Sequence, residues 1–138
     1  MSIYIPRSTK NLVIARADHR CEYCRIPEYL SSFEYHIEHI IGSQHGGPNT
    51  ENNLAFCCSP CNWKKGPNIS TILNFGGSVI PLFNPRKQSW FEHFEVKNGL
   101  LVPLSIYGEA TVKLLELNQL NKVAERFEMI QAGFSLEF

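Results

Sequence analysis

The chain has 138 residues, 43% of them hydrophobic, which is the length of one ordinary domain and enough apolar material to bury a core. Thirteen lysines and arginines balance thirteen acids, which argues against a protein that grips nucleic acid through overall positive charge. No segment approaches the roughly 18 consecutive apolar residues of a membrane span, and the start MSIYIPRSTK lacks the apolar block of a secretory signal, so we expect no membrane partner and a cytoplasmic location.

The charged residues are distributed unevenly along the chain. Residues 1–87 hold nine lysines and arginines against six acids, whereas residues 88–138 hold four against seven. We therefore expect a polyanion such as DNA to bind to the first part of the chain, because the acidic second part would repel it.

A helix and a hairpin are predicted in the first half of the chain. Ser8 or Thr9 can cap a short helix over residues 8–20. The β-branched and aromatic residues of 33–41 predict a strand, and residues 54–56 can supply the returning strand. The stretch between them is rich in Gly, Asn and Pro and predicts a loop.

A second short helix is predicted to follow the hairpin. Ser59 at the N-cap and Pro60 at the first helical position favour a helix start at this point. Gly66 and Pro67 are expected to end that helix quickly.

Two short strands and one long helix are predicted further along. Residues 79–83 and 100–104 have strand-like composition. Residues 109–131 predict a single amphipathic helix, whose apolar stripe we expect to face the core or a second copy of the chain in a homo-oligomer. The stripe consists of Leu114, Leu117, Leu120, Ala124, Phe127 and Ile130.

Four of the five cysteines form two pairs with zinc-knuckle spacing. Cys21 and Cys24 make one C-x2-C pair, Cys58 and Cys61 make the second, and 33 residues separate the pairs. Two such pairs complete a tetrahedral four-sulfur site, which has no free position for water and is therefore a structural zinc site. The alternative is that these are buried free cysteines. Cys57 is expected to point away from the site and to be buried as an apolar residue.

The segment FEYHIEHIIGSQHGGPNTENNLAFCCSPCNWKKG resembles the HNH endonuclease family. The shared pattern is an acidic residue before His and two hydrophobic residues, a GG loop, Asn-Leu, and C-x2-C with a polar residue and a lysine. The resemblance covers about residues 16–67. It implies an α+β fold in which a ββα-metal HNH core is held together by the four-cysteine zinc site, with an N-terminal helix and a C-terminal strand and helix extension. We accordingly divide the chain into a nuclease core, residues 1–75, and an extension, residues 76–138, that packs on the core.

The resemblance also implies metal-dependent hydrolysis of DNA phosphodiester bonds. His39 would be the general base that takes a proton from the attacking water, because an imidazole with a pKa of about 6.5 suits that task near neutrality. Asn53 matches the residue that stabilises the loop and helps hold the base, and its neighbour Asn52 is the weaker candidate. Glu38 and Asn62 match the ligands of the catalytic metal, and their oxygen donors favour Mg²⁺ or Mn²⁺ over zinc.

Six further residues are candidate nucleic-acid contacts: His36, His45, Lys64, Lys65, Arg86 and Lys87. His36 shares a strand face with the acidic residue of the motif, so it either touches the metal or a phosphate or packs beside the site. His45, in the glycine-containing loop, faces either DNA or solvent.

The four cations are candidate phosphate contacts. Lys65 lies three residues after Asn62 and could reach the scissile phosphate, although Lys64 and Lys65 could equally be a solvated pair. Arg86 and Lys87 are assigned to phosphate contact and the aromatic residues around them to the core.

Two other classes of function fit the same motifs. One is a non-catalytic zinc-knuckle module that binds nucleic acid or a protein, which includes an HNH fold that binds but does not cut. The other is a structural zinc protein with no nucleic-acid role.

Overall fold

The computed structural model describes residues 4–136. Its helices are α1 (Arg7–Arg16), α2 (Ser59–Lys65), α3 (Trp90–His93), α4 (Ile106–Leu115) and α5 (Leu120–Gln131). Its strands are β1 (Tyr35–His39), β2 (Leu54–Cys58), β3 (Ser70–Ile72), β4 (Val79–Pro81), β5 (Phe94–Lys97) and β6 (Leu100–Pro103). The α+β class predicted from the sequence is confirmed. Within the described part of the chain, no helix is long and apolar enough to cross a membrane.

The strands form three separate antiparallel hairpins, which pair β1 with β2, β3 with β4, and β5 with β6. In the first hairpin Tyr35 lies opposite Cys58 and His39 opposite Leu54. All five residues of β2 are buried because α1 and α2 pack against this strand. The hairpin and α2 therefore make a ββα unit, as predicted.

The start of α2 differs by one residue from the prediction. Cys58 occupies the N-cap, and Ser59 is the first helical residue. The Ser59 hydroxyl donates to the Glu34 carbonyl at 2.6 Å instead of capping the helix. As predicted, the helix ends before Gly66, whose positive φ of 51° favours glycine.

The prediction of one long helix over 109–131 is wrong, because two helices, α4 and α5, occupy this region. The chain turns at Glu116, which adopts a left-handed conformation with φ 49°. The following Leu117 is fully buried, and the Asn118 amide bonds both the N–H and the carbonyl of Leu101 in β6. These tertiary contacts fix a break that the apolar periodicity did not reveal.

The face that α5 buries also differs from the expected one. Leu120 is 89% exposed, and Phe127 and Ile130 are also exposed. The residues of α5 that are buried are Lys122, Arg126 and Met129. Most of the apolar stripe therefore faces away from the core, and two cations face into it.

Buried side chains from both halves of the chain form one hydrophobic cluster. It extends from Val13 and the cysteines to Trp90, Phe94 and Leu117. The division that we placed after residue 75 falls in the turn between β3 and β4, which pair across it.

Candidate metal centre and active site

The four paired cysteines meet in one buried cluster. The sulfur atoms of Cys21, Cys24, Cys58 and Cys61 all lie within 4.8 Å of one another, and the Cys24 and Cys58 Sγ atoms are 3.7 Å apart. Thiolates at about 2.3 Å from a tetrahedral zinc ion would be separated by about 3.8 Å. The donor set and its spacing therefore fit one zinc ion with four sulfur ligands.

Local backbone structure brings each pair of sulfurs together. After Cys21 the chain makes a tight turn in which the Arg25 N–H donates to the Cys21 carbonyl at 3.0 Å and the Cys24 N–H approaches Cys21 Sγ at 3.4 Å. Cys58 ends β2, and Cys61 is the third residue of α2. One knuckle thus comes from a turn and the other from a strand-to-helix junction.

Cys57 is not one of the four clustered cysteines, but its thiol contacts that of Cys21 and so does not point away from the cluster as expected. It is fully buried, and its thiol donates to the Cys58 carbonyl at 3.3 Å.

Two buried cations of α5 lie against the cysteine cluster. Lys122 Nζ is 3.5 Å from Cys58 Sγ, and the Arg126 guanidinium donates to the Cys24 carbonyl at 3.4 Å. Burial alone would lower the pKa of Lys122, but the charges of the cysteines outweigh it and raise this pKa overall. Zinc with four thiolates carries two negative charges, and these two side chains supply two positive ones. Neither side chain was predicted from the sequence to face the cysteines, although their spacing of four residues places them on one helix face.

Glu38, the expected acidic metal ligand, is buried in the structure. It is 6% exposed, its Oε1 accepts a hydrogen bond from the Tyr23 hydroxyl at 2.6 Å, and its Oε2 lies 3.3 Å from Lys65 Nζ. Burial raises the pKa of the Glu38 carboxyl, and the Lys65 charge opposes that shift. The carboxylate is thus held by one donor on each oxygen.

Lys65, one of the candidate phosphate contacts, is buried and faces Glu38, so it is not part of a solvated lysine pair. It is 2% exposed, and its ammonium also donates to the Ile40 carbonyl at 2.9 Å. The reason is helical geometry, since Lys65 lies four residues after Cys61 of the cysteine cluster and shares its buried face. Lys64 pairs instead with Glu116 at 2.7 Å.

His39 is half-buried at the end of β1, next to Glu38. Its Nε2 lies 2.8 Å from the Asn49 Oδ1, and since an amide oxygen only accepts, Nε2 is the donor of this bond, which leaves Nδ1 as the acceptor nitrogen of the neutral ring. Asn49 was not among the sequence candidates. It belongs to the glycine loop, residues 42–53, so this loop orients the imidazole.

Asn53 closes the glycine loop with its side-chain amide. Its Oδ1 accepts from the Ile41 N–H at 3.0 Å, and its Nδ2 donates to the carbonyls of Ile41 and Pro48 at 2.9 and 2.8 Å. A side chain at Gly47 would place its Cβ 1.7 Å from the Ile41 carbonyl oxygen. Asn52 accepts from the Thr50 hydroxyl and takes no part in this closure.

The other site candidates differ in their surroundings. Asn62 is half-buried on α2, and His36 is half-buried with its Nε2 2.9 Å from the Ser59 hydroxyl. His45 and Lys87 are exposed. Arg86, by contrast, forms an ion pair with Glu22 of the first knuckle, so its positive charge is balanced within the protein.

One exposed aromatic residue near these candidates was missed by the sequence analysis. Trp63 follows Asn62 on α2 and is 85% exposed. A tryptophan so accessible is available to stack on a base, because every base presents a π face.

Comparison with known proteins identifies the central part of the chain. Residues 21–68 match the family model described as HNH endonuclease. The chain is 27% identical over 117 residues to the Septu protein PtuB of Bacillus thuringiensis. That match covers 83% of this chain but 42% of PtuB, so the chain spans less than half the length of this relative. No solved structure matches the chain significantly. The matched residues contain both cysteine pairs, the β1–β2 hairpin and α2, so the part of the chain that carries the candidate site is the part that is similar to the HNH endonuclease family.

Proposed function

We propose that this protein is a metal-dependent endonuclease that hydrolyses phosphodiester bonds of DNA, with His39 as general base. The observation that carries the proposal is the orientation of His39, whose Nε2 is bound by Asn49, so that Nδ1 is the acceptor nitrogen of the neutral ring. A half-buried imidazole with one nitrogen fixed and one available to accept suits proton abstraction from water near neutral pH.

Glu38 and Asn62 are the proposed ligands of the catalytic metal. Each oxygen of the carboxylate has two lone pairs, so one remains on each after the contacts with Tyr23 and Lys65. Asn62 would add an amide oxygen from α2, which packs against β1. These hard oxygen donors fit Mg²⁺ or Mn²⁺, and such an ion would stabilise the charge that develops on the phosphate and the leaving oxygen.

Lys65 gives this site a further property. Its ammonium would repel a divalent ion at Glu38, so we expect the ion to bind weakly to the free protein and more tightly when a phosphate group adds negative charge. For nucleic-acid contact we propose the exposed His45, Lys87 and Trp63, with His36 beside the site.

The test is nicking of a supercoiled plasmid with added Mg²⁺ or Mn²⁺. We expect His39→Ala to slow nicking by about 100-fold or more, the usual contribution of a general base. His19→Asn is the matched control, because His19 is an exposed imidazole that pairs with Glu28 and its positive φ suits asparagine. Equal residual cutting by wild type and His39→Ala would show that the activity belongs to a contaminant.

Asn62→Ala tests the separation of the two metal sites. We expect about one zinc per chain to be retained in this variant while cutting falls, because Asn62 does not belong to the cysteine cluster. Loss of zinc together with activity would contradict two independent sites.

A second candidate function is a non-catalytic zinc-knuckle module that binds nucleic acid. It is favoured by the contacts of Glu38, because Tyr23 and Lys65 satisfy the carboxylate without an ion. Salt-sensitive DNA binding without metal-dependent cutting would support this alternative.

Self-association through α5 is a further proposal. Leu120, Phe127 and Ile130 form an exposed apolar face on this helix. Light scattering after gel filtration should detect a dimer that Phe127→Lys dissociates, and a monomeric wild type would reject the proposal.

A further inference from the structure

Tyr23 connects the cysteine cluster to the candidate active site. It is one of the two residues between the zinc-type ligands Cys21 and Cys24, and its side chain is fully buried. Its hydroxyl donates to the Glu38 carboxylate at 2.6 Å. A residue of one knuckle is therefore bonded directly to a proposed ligand of the second metal.

The main chain of Tyr23 is also fixed by a hydrogen bond. The Tyr23 carbonyl accepts a hydrogen bond from the Trp90 indole N–H at 3.0 Å. Both neighbouring segments are fixed, since Glu22 donates its N–H to the Phe56 carbonyl and Cys24 belongs to the cysteine cluster. The position of the hydroxyl thus depends on the folded knuckle.

Tyr23 and Lys65 bind different oxygens of Glu38. Tyr23 bonds Oε1, and Lys65 approaches Oε2. Two donors on two oxygens fix the plane of the carboxylate as well as its position. Since Tyr23 comes from the Cys21–Cys24 turn and Lys65 from α2, these two elements together orient the Glu38 side chain.

We propose that Tyr23 is a positioning residue that orients Glu38 for the catalytic divalent ion, and that zinc binding to the knuckle thereby sets the affinity of the second metal site. This inference rests on the proposed function. Partners that orient a ligand of a metal from outside its coordination shell commonly change metal affinity by about 10-fold to 100-fold when they are removed.

The experiment compares Tyr23→Phe with Tyr35→Phe. Tyr35 is a matched control because its buried hydroxyl also makes a short hydrogen bond beside the knuckle, to the Ile26 carbonyl at 2.7 Å, whereas the partners of Glu38 are Tyr23 and Lys65. Both variants are prepared with zinc bound and checked for about one zinc per chain. Mn²⁺ affinity is measured from the free-ion EPR signal, and nicking is measured against Mn²⁺ concentration.

We expect Tyr23→Phe to bind Mn²⁺ about 10-fold more weakly, with the nicking rate recovering at saturating Mn²⁺, while Tyr35→Phe matches wild type. Equal Mn²⁺ dependence of the two variants would overturn the inference and leave the nuclease proposal intact. If wild type binds Mn²⁺ without cutting, the nuclease proposal fails, and the difference in Mn²⁺ affinity still decides the role of Tyr23. Absence of Mn²⁺ binding to wild type, or loss of zinc from Tyr23→Phe alone, would also overturn the inference.

Discussion

Lys64 and Lys65 are adjacent in the sequence but lie in different environments. Lys65 is buried and paired with the buried Glu38, whereas Lys64 pairs with Glu116, whose side chain is half exposed. A motif that contains two lysines does not distinguish them. The distinguishing signal is the spacing from Cys61, because a residue four positions after a buried ligand shares its helix face.

Because the two lysines differ in burial, we expect the loss of each charge to change the free energy of unfolding by a different amount. Lys65→Met should lower the free energy of unfolding by about 3 kcal/mol or more, because it leaves Glu38 buried without its counter-ion. Lys64→Met should cost less than about 1 kcal/mol. Urea denaturation of the zinc-loaded proteins measures both values, and similar losses would show that the Glu38–Lys65 pair is solvated in solution.

Gly47 provides a second prediction for a single residue. Gly47→Ala should slow nicking and lower stability by about 1–3 kcal/mol, because the added Cβ collides with the Ile41 carbonyl and displaces the loop that carries Asn49. Gly42→Ala is the control, since a Cβ there meets nothing within 4 Å. Nicking rates and thermal melting separate the two variants. An unaffected Gly47→Ala would mean that the loop adapts without moving His39.

At the scale of elements, local patterns predicted the first half of the molecule better than the second. β-Branched and aromatic residues, a glycine loop and a proline at a helix start specify the β1–β2 hairpin and α2. The paired cysteines likewise predicted their own cluster. These features are encoded within short windows of sequence.

The second half depends on contacts between distant residues. The break between α4 and α5 requires Asn118 to bond Leu101, and the three-residue strand β3 is too short to carry a strong pattern of its own. The β5–β6 hairpin is different, because β5 alternates apolar and polar residues and Asn98-Gly99 forms its turn with positive φ angles, a local signal that was not used in the prediction. The candidate site shows the same limit. His39 and Glu38 were found from the motif, but their partners Asn49 and Tyr23 depend on how the loop and the knuckle fold.

The inward face of α5 leads to a prediction about zinc. Lys122→Met should weaken zinc binding by about 10-fold, because one positive charge facing the four thiolates is lost. Lys97→Met serves as control, since Lys97 is exposed and only loosely paired with Glu95. Competition with a chromophoric chelator gives both affinities. Identical values would exclude a role for Lys122 as counter-ion.

At the scale of the whole molecule, the cysteine cluster joins segments that are far apart in the sequence. It links the turn after α1 to the β2–α2 junction and contacts α5 through Lys122. All four cysteines belong to the single hydrophobic cluster that both halves of the chain share. Folding of the two halves is therefore expected to be coupled through this centre.

Removal of zinc should therefore unfold the protein. Structural zinc contributes an apparent free energy of about 10 kcal/mol or more, which is comparable to the total stability of a typical domain. Metal removal also leaves Lys122 and Arg126 buried without the charge that they face. Circular dichroism after chelation should show loss of helix and of the cooperative melting transition, and zinc should restore both. A cooperative transition that persists without metal would contradict this expectation.

The chain contains two tryptophans, and their opposite environments make them separate optical probes. Trp90 is buried, stacks on Phe94 at 4.8 Å between ring centres and donates to the Tyr23 carbonyl. Its emission should therefore be blue-shifted and should follow the folding of the zinc knuckle. Trp63 lies on the surface of α2 beside Asn62, so its red-shifted emission should be quenched by iodide and altered by a bound nucleic acid. Trp63→Phe and Trp90→Phe would assign each signal, so that metal loading and substrate binding can be followed without an added label.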